Sequence, residues 1–413
     1  MKLLLEIAFT HILGRGRQTL VSIVGVAMGV GFAIAMAALM EGGQLDFIDS
    51  LVDTMPHVQI TDERRTAQPQ PAEVVFEATE FRGLRPRDDP RGILNPTAAT
   101  ASLRSWAPGD LAANLSVSAV VRFGGAERGV SVLGVEPRDL VRVSPIEEDM
   151  TVGRFEDLGG QSSGVIVGRS LAERLGADPG DSVTITAAET ISRRFKIIGV
   201  FETGVVGTDE RQVYMLLKSA QVLSGRPNAV NDIRIRLHDP DIAPAVAARA
   251  EEMLGYKAVS WQEANEAIFE AFEVRNIIMY TVVGAILLVA GFGIYNIVSI
   301  ITHEKSRDIA ILKSLGFTQE DIRRIFLTEG VLMGGVGSVL GWVLGFWLTV
   351  ALGAVTLELP GRTTEPVNLP VIYSWLHYAI ATMFALSSAA VAGYLPARKA
   401  AAQNPVEIIR GAT

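Results

Sequence analysis

The stretch VSIVGVAMGVGFAIAMAAL, Val21 to Leu39, decides the fold, because it carries no charge at all. A charged side chain at mid-membrane costs about 2.5–3.5 kcal/mol on insertion scales, so this exclusion is a signal. The stretch lies in an apolar run over 19–40. That is close to the roughly 20 residues a helix needs to cross about 30 Å of hydrocarbon. Three further runs, 277–301, 331–350 and 375–395, all lie beyond residue 275. Four unbroken runs in one chain read as transmembrane helices, not as buried helices of a soluble core. The first reads as a retained helix. It follows a segment with Glu6, His11, Arg15 and Arg17, and its apolar core exceeds that of a usual signal peptide.

Working outward, the interval 41–275 has the composition of an ordinary soluble domain. The whole-chain averages, 49% hydrophobic and 20% charged, mix these two populations. The expected architecture is an α-helical membrane protein with four transmembrane helices in a 1+3 layout, plus a large α+β extracytoplasmic domain of two lobes. Orientation follows from Lys and Arg. Lys2, Arg15 and Arg17 precede the first span; Lys305, Arg307, Lys313, Arg323 and Arg324 lie between the second and third; Arg398, Lys399 and Arg410 follow the fourth. The loop 351–374 carries only Arg362, against Glu358 and Glu365. The positive-inside rule then places both termini and the region 302–329 in the cytoplasm and the large domain outside a cytoplasmic (inner) membrane. The chain has no cysteine, so the outer domain has no disulfide and must be held by its own core. A net charge of −8 argues against a nucleic-acid partner.

Residues 1–18 read as a cytoplasmic segment whose 3–17 portion is an amphipathic helix, with Leu4, Ile7 and Ile12 on one side. In the outer domain, 57–60 reads as a strand, and 61–96, rich in Pro and Arg, as a loop insert. Strands are expected at 115–123 and 129–135 around the turn Gly124–Gly125, then at 165–167, 182–187, 194–201, 213–216, 232–237 and 257–259. Helices are expected at 170–175, ending at Gly176, near 218–223 and at 243–254. The inner lobe would be an insert at about 140–224. The segment 261–276, WQEANEAIFEAFEVRN, has helical periodicity and no Pro or Gly, and reads as one stalk helix running into the second span. Residues 396–413 form a cytoplasmic tail. In the spans, Gly25 and Gly29 are four apart, as are Gly337, Gly341 and Gly345, a spacing that lets helices approach closely. Asn296 in the second span is expected to bond to a neighbouring helix.

Catalytic signatures are missing. GGQSSG at 159–164 lacks the Lys and the following helix of a phosphate loop. His11, His57, His238, His303 and His377 are scattered, with no pair at metal-ligand spacing, and no nucleophile elbow is present. The chain reads as a non-catalytic subunit with no metal site.

The most telling polar segment is THEKSRDIAILKSLGFTQEDIRRIFLTE, residues 302–329. Ile309, Leu312 and Leu315 recur at helical spacing, Gly316 is placed as a C-cap, and Thr318 with Asp321 forms an N-terminal capping pair. A short amphipathic helix between two spans suits docking in a partner's groove, or resting on the membrane surface; the residues alone leave both open.

Glu304–Phe317, EKSRDIAILKSLGF, resembles the coupling-helix signature of MacB/FtsX-like ABC transporter permeases. The ending YLPARKA at 394–400 with NPVEIIR at 404–410, and the 1+3 layout, are similar to that family too. Within it the chain looks most like the lipoprotein-releasing LolC/LolE-type permeases, supported by Met55–Pro56–His57, Ser260–Glu263 and Phe292–Val298. The resemblance implies a mechanotransmission exporter. A separate ABC ATPase subunit would bind ATP and Mg, leaving this chain without a cofactor. It would grip Glu304, Lys305, Ser306, Arg307, Ile309, Leu312, Lys313, Leu315 and Gly316. A second permease copy, as a homo- or heterodimer, would complete the membrane part. Lipoprotein acyl chains would sit between the first two spans, with Met28, Phe32, Met36 and Met40 facing Ile278, Val282 and Leu287. Membrane lipids, a lipoprotein and a periplasmic carrier or adaptor are the remaining partners implied. The carrier-gripping hairpin of the C-type permease corresponds here to a short stretch, AAETISRR at 187–194. Two other readings fit: an FtsX-like signal transmitter that activates an extracytoplasmic cell-wall hydrolase, and a MacB-type efflux permease.

Overall fold

The computed structural model describes residues 16–65, 92–187, 191–357 and 367–402. The expected helix at 3–17, most of the insert at 61–96 and the end of the tail lie outside these residues. The described residues divide into two compact units: one is built from residues between 48 and 267, the other from 16–47, 268–357 and 367–402.

Helix α1, Gly16–Thr54, is 39 residues long. At 1.5 Å per residue it is about 58 Å, well beyond a bilayer's hydrocarbon. The segment 41–54, assigned to the outer domain from sequence, is a continuation of this helix. Pro56 explains the end, since the residue before a proline is pushed out of the helical region. His57 then seals the end of α1. Its Nε2–H donates to the Val52 carbonyl at 3.1 Å, and its Nδ1 accepts from the Leu237 amide at 3.0 Å.

The α+β unit is built from β1 (Val58–Thr61), α2 (Pro96–Arg104), β2 (Gly109–Phe123), β3 (Ala126–Val135), α3 (Pro137–Val143), β4 (Met150–Val152), β5 (Gly164–Gly168), α4 (Arg169–Leu175), β6 (Ser182–Ala187), β7 (Ile191–Phe201), α5 (Val206–Arg211), β8 (Gln212–Leu216), α6 (Leu217–Leu223), β9 (Asp232–Leu237), α7 (Ala243–Leu254) and β10 (Ala258–Ser260). Strands run in the order β10-β1-β9-β2-β3-β8-β5-β7-β4, with β6 bridging β2 and β7. Strand β2 does two jobs. Residues 109–114 pair with β9, while 115–123 pair with β3, and 119–122 also pair with β6. The ladder β2-β3-β8-β5-β7-β6 therefore returns to β2 and closes a ring without free edges, which removes a pairing hazard. The division expected at residue 140 is not where the sheet divides, because the second half of β2 and all of β3 belong to this ring. Gly124 at φ +57° and Gly125 at φ +90° make the two-residue turn between β2 and β3, where both positions need a left-handed backbone.

Leu115, Val121, Val132, Val183, Ile185 and Val213 fill one core of this unit. Phe155, Phe201 and Tyr214 anchor another, with Tyr214 edge-on to Phe155 at 5.4 Å and to Phe201 at 5.2 Å. Burial pushes the Tyr214 phenol up to about 12.

The expected stalk is broken. A short helix α8, Trp261–Ala264, stops at Asn265, and α9 begins anew as Glu266–Glu304. The cause is local: the Asn265 amide donates to the Trp261 carbonyl at 2.8 Å, competing with the helical ladder. Helix α10 (Ser306–Ser314), α11 (Gln319–Gly353), the strand pair β11 (Thr356–Leu357) and β12 (Val367–Asn368), and α12 (Trp375–Ala402) follow. Helices α1, α9, α11 and α12 are long and apolar enough to cross a membrane.

Glycines set the packing of these helices. A Cβ on Gly337, Gly341 or Gly345 of α11 would lie 2.7, 2.6 or 2.9 Å from Val26, Val30 or Ile34 of α1. Two four-residue ridges thus interlock within one chain. Gly29 meets Leu287 of α9, whereas Gly25 has nothing beside it. Gly330 and Gly334 do the same against Ala389 of α12. Asn296 is exposed on α9 and does not reach a neighbouring helix, contrary to the expectation from its polarity.

Candidate functional site

Helix α10 hangs between α9 and α11 and is fixed at its C-terminal end. The Phe317 amide donates to Leu312 at 3.1 Å and the Gly316 amide to Lys313 at 3.2 Å, with Gly316 at φ +101°. This is a Schellman closure. One turn on, Thr318 and Asp321 cap α11 reciprocally: Thr318 N–H donates to Asp321 Oδ2 at 2.9 Å, and Asp321 N–H donates to Thr318 Oγ1 at 3.2 Å. The Thr318 hydroxyl, which donates to Asp321 Oδ2 at 2.7 Å, and the Thr318 amide together hold the Asp321 carboxyl below its usual range. Lys313 Nζ donates to the Ala401 carbonyl at 2.9 Å, pinning α10 to the end of α12.

The structure divides the residues that sequence assigned to coupling. Ile309 is buried with Ala310 among the bundle's core side chains, and Leu312 and Phe317 pack against that core. Their faces are occupied by the chain itself. Ser306 and Lys313 are half-buried, and Lys305, also half-buried, pairs with Asp308 at 2.8 Å. Glu304, Arg307, Leu315 and Gly316 are exposed. Leu315 is 73% exposed, and Ile311, which sequence reading passed over, is 47% exposed. The missed signal was angular. At about 100° per residue Leu315 lies some 120° from Ile309, while Arg307, Ile311 and Leu315 follow one another four apart on a single stripe.

The candidate acyl-chain residues do not converge either. Met28 and Phe32 are exposed on α1, and Ile278 and Val282 on α9, while Met36 and Met40 are half-buried. Leu287 is buried against Gly29. Leu287 lines a small cavity of about 40 Å³ together with Ala33 and Ala37 of α1, Met279 and Val283 of α9, and Ile380 and Phe384 of α12. His377, buried and lining this cavity, pairs with Glu41 of α1. Nearby, Arg275 donates to the Met40 carbonyl at 3.2 Å and to Gln44 Oε1 at 2.9 Å, joining α1 to α9.

Among the described residues no three His, Asp or Glu side chains group to hold a metal ion. The GGQSSG segment is the end of a 3-10 turn leading into β5. The β6–β7 hairpin is short: Ala187 pairs with Ile191, and residues 188–190 lie outside those described.

A family model described as MacB-like periplasmic core domain matches residues 19–253, more than half of the chain, and one described as FtsX-like permease C-terminal matches 280–405. The chain is 29% identical over 414 residues to the lipoprotein-releasing system transmembrane protein LolC of Neisseria meningitidis serogroup B, covering 95% of this chain and 94% of that protein. It is 26% identical over 431 residues to the macrolide export ATP-binding/permease protein MacB 2 of Aeromonas hydrophila subsp. hydrophila, covering 98% of this chain and 60% of that longer one. Among solved structures, the periplasmic region of MacB from Actinobacillus actinomycetemcomitans aligns with 53% of this chain and 94% of its own, at 12% identity and a TM-score of 0.36. The two family models tile the chain from its first apolar helix to its last, and the protein belongs to the MacB/FtsX-like family of ABC transporter permeases.

Proposed function

We propose that this chain is the membrane subunit of an ATP-driven mechanotransmission exporter that extracts lipoproteins or similar amphiphiles from the outer leaflet of the cytoplasmic membrane. The observation that carries the reading is the end-to-end relation to a lipoprotein-releasing permease, which covers the α+β domain and the membrane helices together. In this scheme a separate ATPase subunit hydrolyses ATP and this chain performs no covalent step.

Helix α10 is the handle. Its exposed Ile311 and Leu315 leave apolar area in water that a partner's groove would bury, and Arg307 lies on the same stripe. The Schellman closure, the capping pair, Lys313 and the buried Ile309 tie α10 to α9, α11 and α12, so a pull on the handle moves these helices instead of unwinding it. A second permease copy completes the substrate cleft, in which the outward-facing Met28, Phe32, Ile278 and Val282 contact acyl chains. The β6–β7 hairpin is short, and this reading does not depend on a carrier docking there.

Co-purification with the cognate ATPase tests it. Ile311→Glu combined with Leu315→Glu should abolish association while the permease still folds; Leu312→Asp, which strikes the chain's own core, should instead lower the yield of folded protein. Retained association in the double variant would remove α10 as the handle. The relation to MacB favours a second reading, efflux of small amphiphiles. Stimulation of ATP hydrolysis by a triacylated lipoprotein, and not by a macrolide, separates the two.

A further inference from the structure

We propose that the groove between α9 and α12 binds an anionic phospholipid of the leaflet on the α10 side, with an acyl chain along the groove and the headgroup at Arg398 and Lys399. The groove holds about 450 Å³. Its floor is low because Gly284 and Gly291 lack side chains, and a Cβ on Gly284 would meet nothing within 4 Å. Its rim stands high: Phe292 is 60% exposed, Phe384 52% and Val391 62%. The two serines that line it present no free hydroxyl. Ser387 Oγ donates to the Met383 carbonyl at 2.7 Å, and Ser388 Oγ to the Leu287 carbonyl at 3.1 Å. What remains is hydrocarbon in character. Both wall helices are long and apolar enough to span a membrane, so the occupant available at that depth is an acyl chain.

Length and charge select the leaflet and the headgroup. From Gly284 to Tyr295 the groove follows α9 for about 16 Å at 1.5 Å per residue. That is about half of a hydrocarbon core, the depth of one leaflet. Toward the α10 end the groove runs out at Leu395 of α12. Arg398 follows Leu395 by three residues and Val391 by seven, on the same face, and Lys399 is beside it. Both are exposed and neither pairs with a carboxylate among the described residues. A basic pair at the mouth of an apolar groove suits a phosphate-bearing anionic headgroup. None of the exposed residues offered above for the export substrate lines this groove.

Native mass spectrometry of the full-length chain in detergent tests the site, with phosphatidylglycerol and phosphatidylcholine of identical acyl chains as probes. Wild type should bind phosphatidylglycerol several-fold more tightly. Arg398→Gln with Lys399→Gln should erase that preference, since each surface basic residue is worth roughly a fivefold change. Gly284→Leu and Ser387→Leu, which fill open space, should weaken both lipids alike. Equal binding of the two lipids by wild type would overturn the proposal, as would a preference that survives both sets of variants. Spontaneous cross-linking of Val391→Cys between two copies would give the groove to a second chain and overturn it too.

Discussion

His57 is buried just past the end of α1, with both ring nitrogens already bonded. The arrangement requires the neutral ring with its proton on Nε2, because Nδ1 accepts from the Leu237 amide. A second proton would face that amide. Burial, aided by Arg236, holds the imidazole below its ordinary value of 6.5. A depressed folded value means that the unfolded chain takes up the proton first. The stabilisation is therefore complete above pH 6.5 and is lost as pH falls toward the folded value. Urea unfolding of the detergent-solubilised chain should show a falling midpoint between pH 7.5 and 5.5, and His57→Gln should flatten that slope; an unchanged slope would remove His57 as its source. Asp149 has the opposite sign. Burial, with Asp209 and Glu148 nearby, raises its carboxyl above 3.8. Its contribution is complete below that value and declines as pH rises, so at pH 7 the carboxylate is a liability. Asp149→Asn keeps the backbone bond from Glu202 to the residue's carbonyl and should raise the melting temperature at pH 7 but not at pH 4. His57 was legible in the sequence only as part of a short resemblance; its bonding was not, because Leu237 lies 180 residues away.

At the scale of elements, close approach of helices and the signals at helix ends carry most of what could be read in advance. Gly337, Gly341 and Gly345 announced a tight contact by spacing, though not its partner; the structure gives Val26, Val30 and Ile34 of the same chain. Gly341→Leu should therefore fail by overpacking, at a cost of about 1–3 kcal/mol or more. Gly335→Leu, with nothing within 4 Å of its Cβ, should be tolerated. Thermal unfolding of the two variants in the same detergent separates them, and equal melting temperatures would contradict the packing. Gly176, Gly316 and the Thr318–Asp321 pair were also legible, because capping depends on a few adjacent residues. The break at Asn265 was not, since one side-chain bond to a carbonyl outweighed a continuous helical pattern. Nor was helix α2, which follows an Asn95 in the left-handed region in place of a side-chain cap. The apolar face of α10 was read from three-residue steps, whose drift around the helix put Leu315 on the wrong side.

At the scale of the molecule, the four apolar helices were plain from charge exclusion, whereas the closed ring of six strands was not. Ring closure depends on β2 pairing with β6 across some 65 residues, and alternation along a strand carries no record of its partner. The side of the membrane on which each unit lies is a question of charge alone. Lys305, Arg307 and Lys313 lie in the short connection between α9 and α11, and Arg323 and Arg324 in the first turns of α11, whereas Arg362 is the one basic residue in the sequence between α11 and α12. Short loops obey the Lys and Arg bias, and the two loops point to the same orientation. The orientation expected from charge, with the α+β unit outside and α10 in the cytoplasm, is open to direct test. The chain contains no cysteine, so single cysteines can be introduced without altering a background. Gln161→Cys, on an exposed turn before β5, should react with a membrane-impermeant maleimide in intact spheroplasts. Ser314→Cys, exposed at the end of α10, should react only after permeabilisation. Labelling of both cysteines before permeabilisation, or of Ser314→Cys alone, would put the handle on the side away from ATP, and an ATPase could not drive the chain through α10.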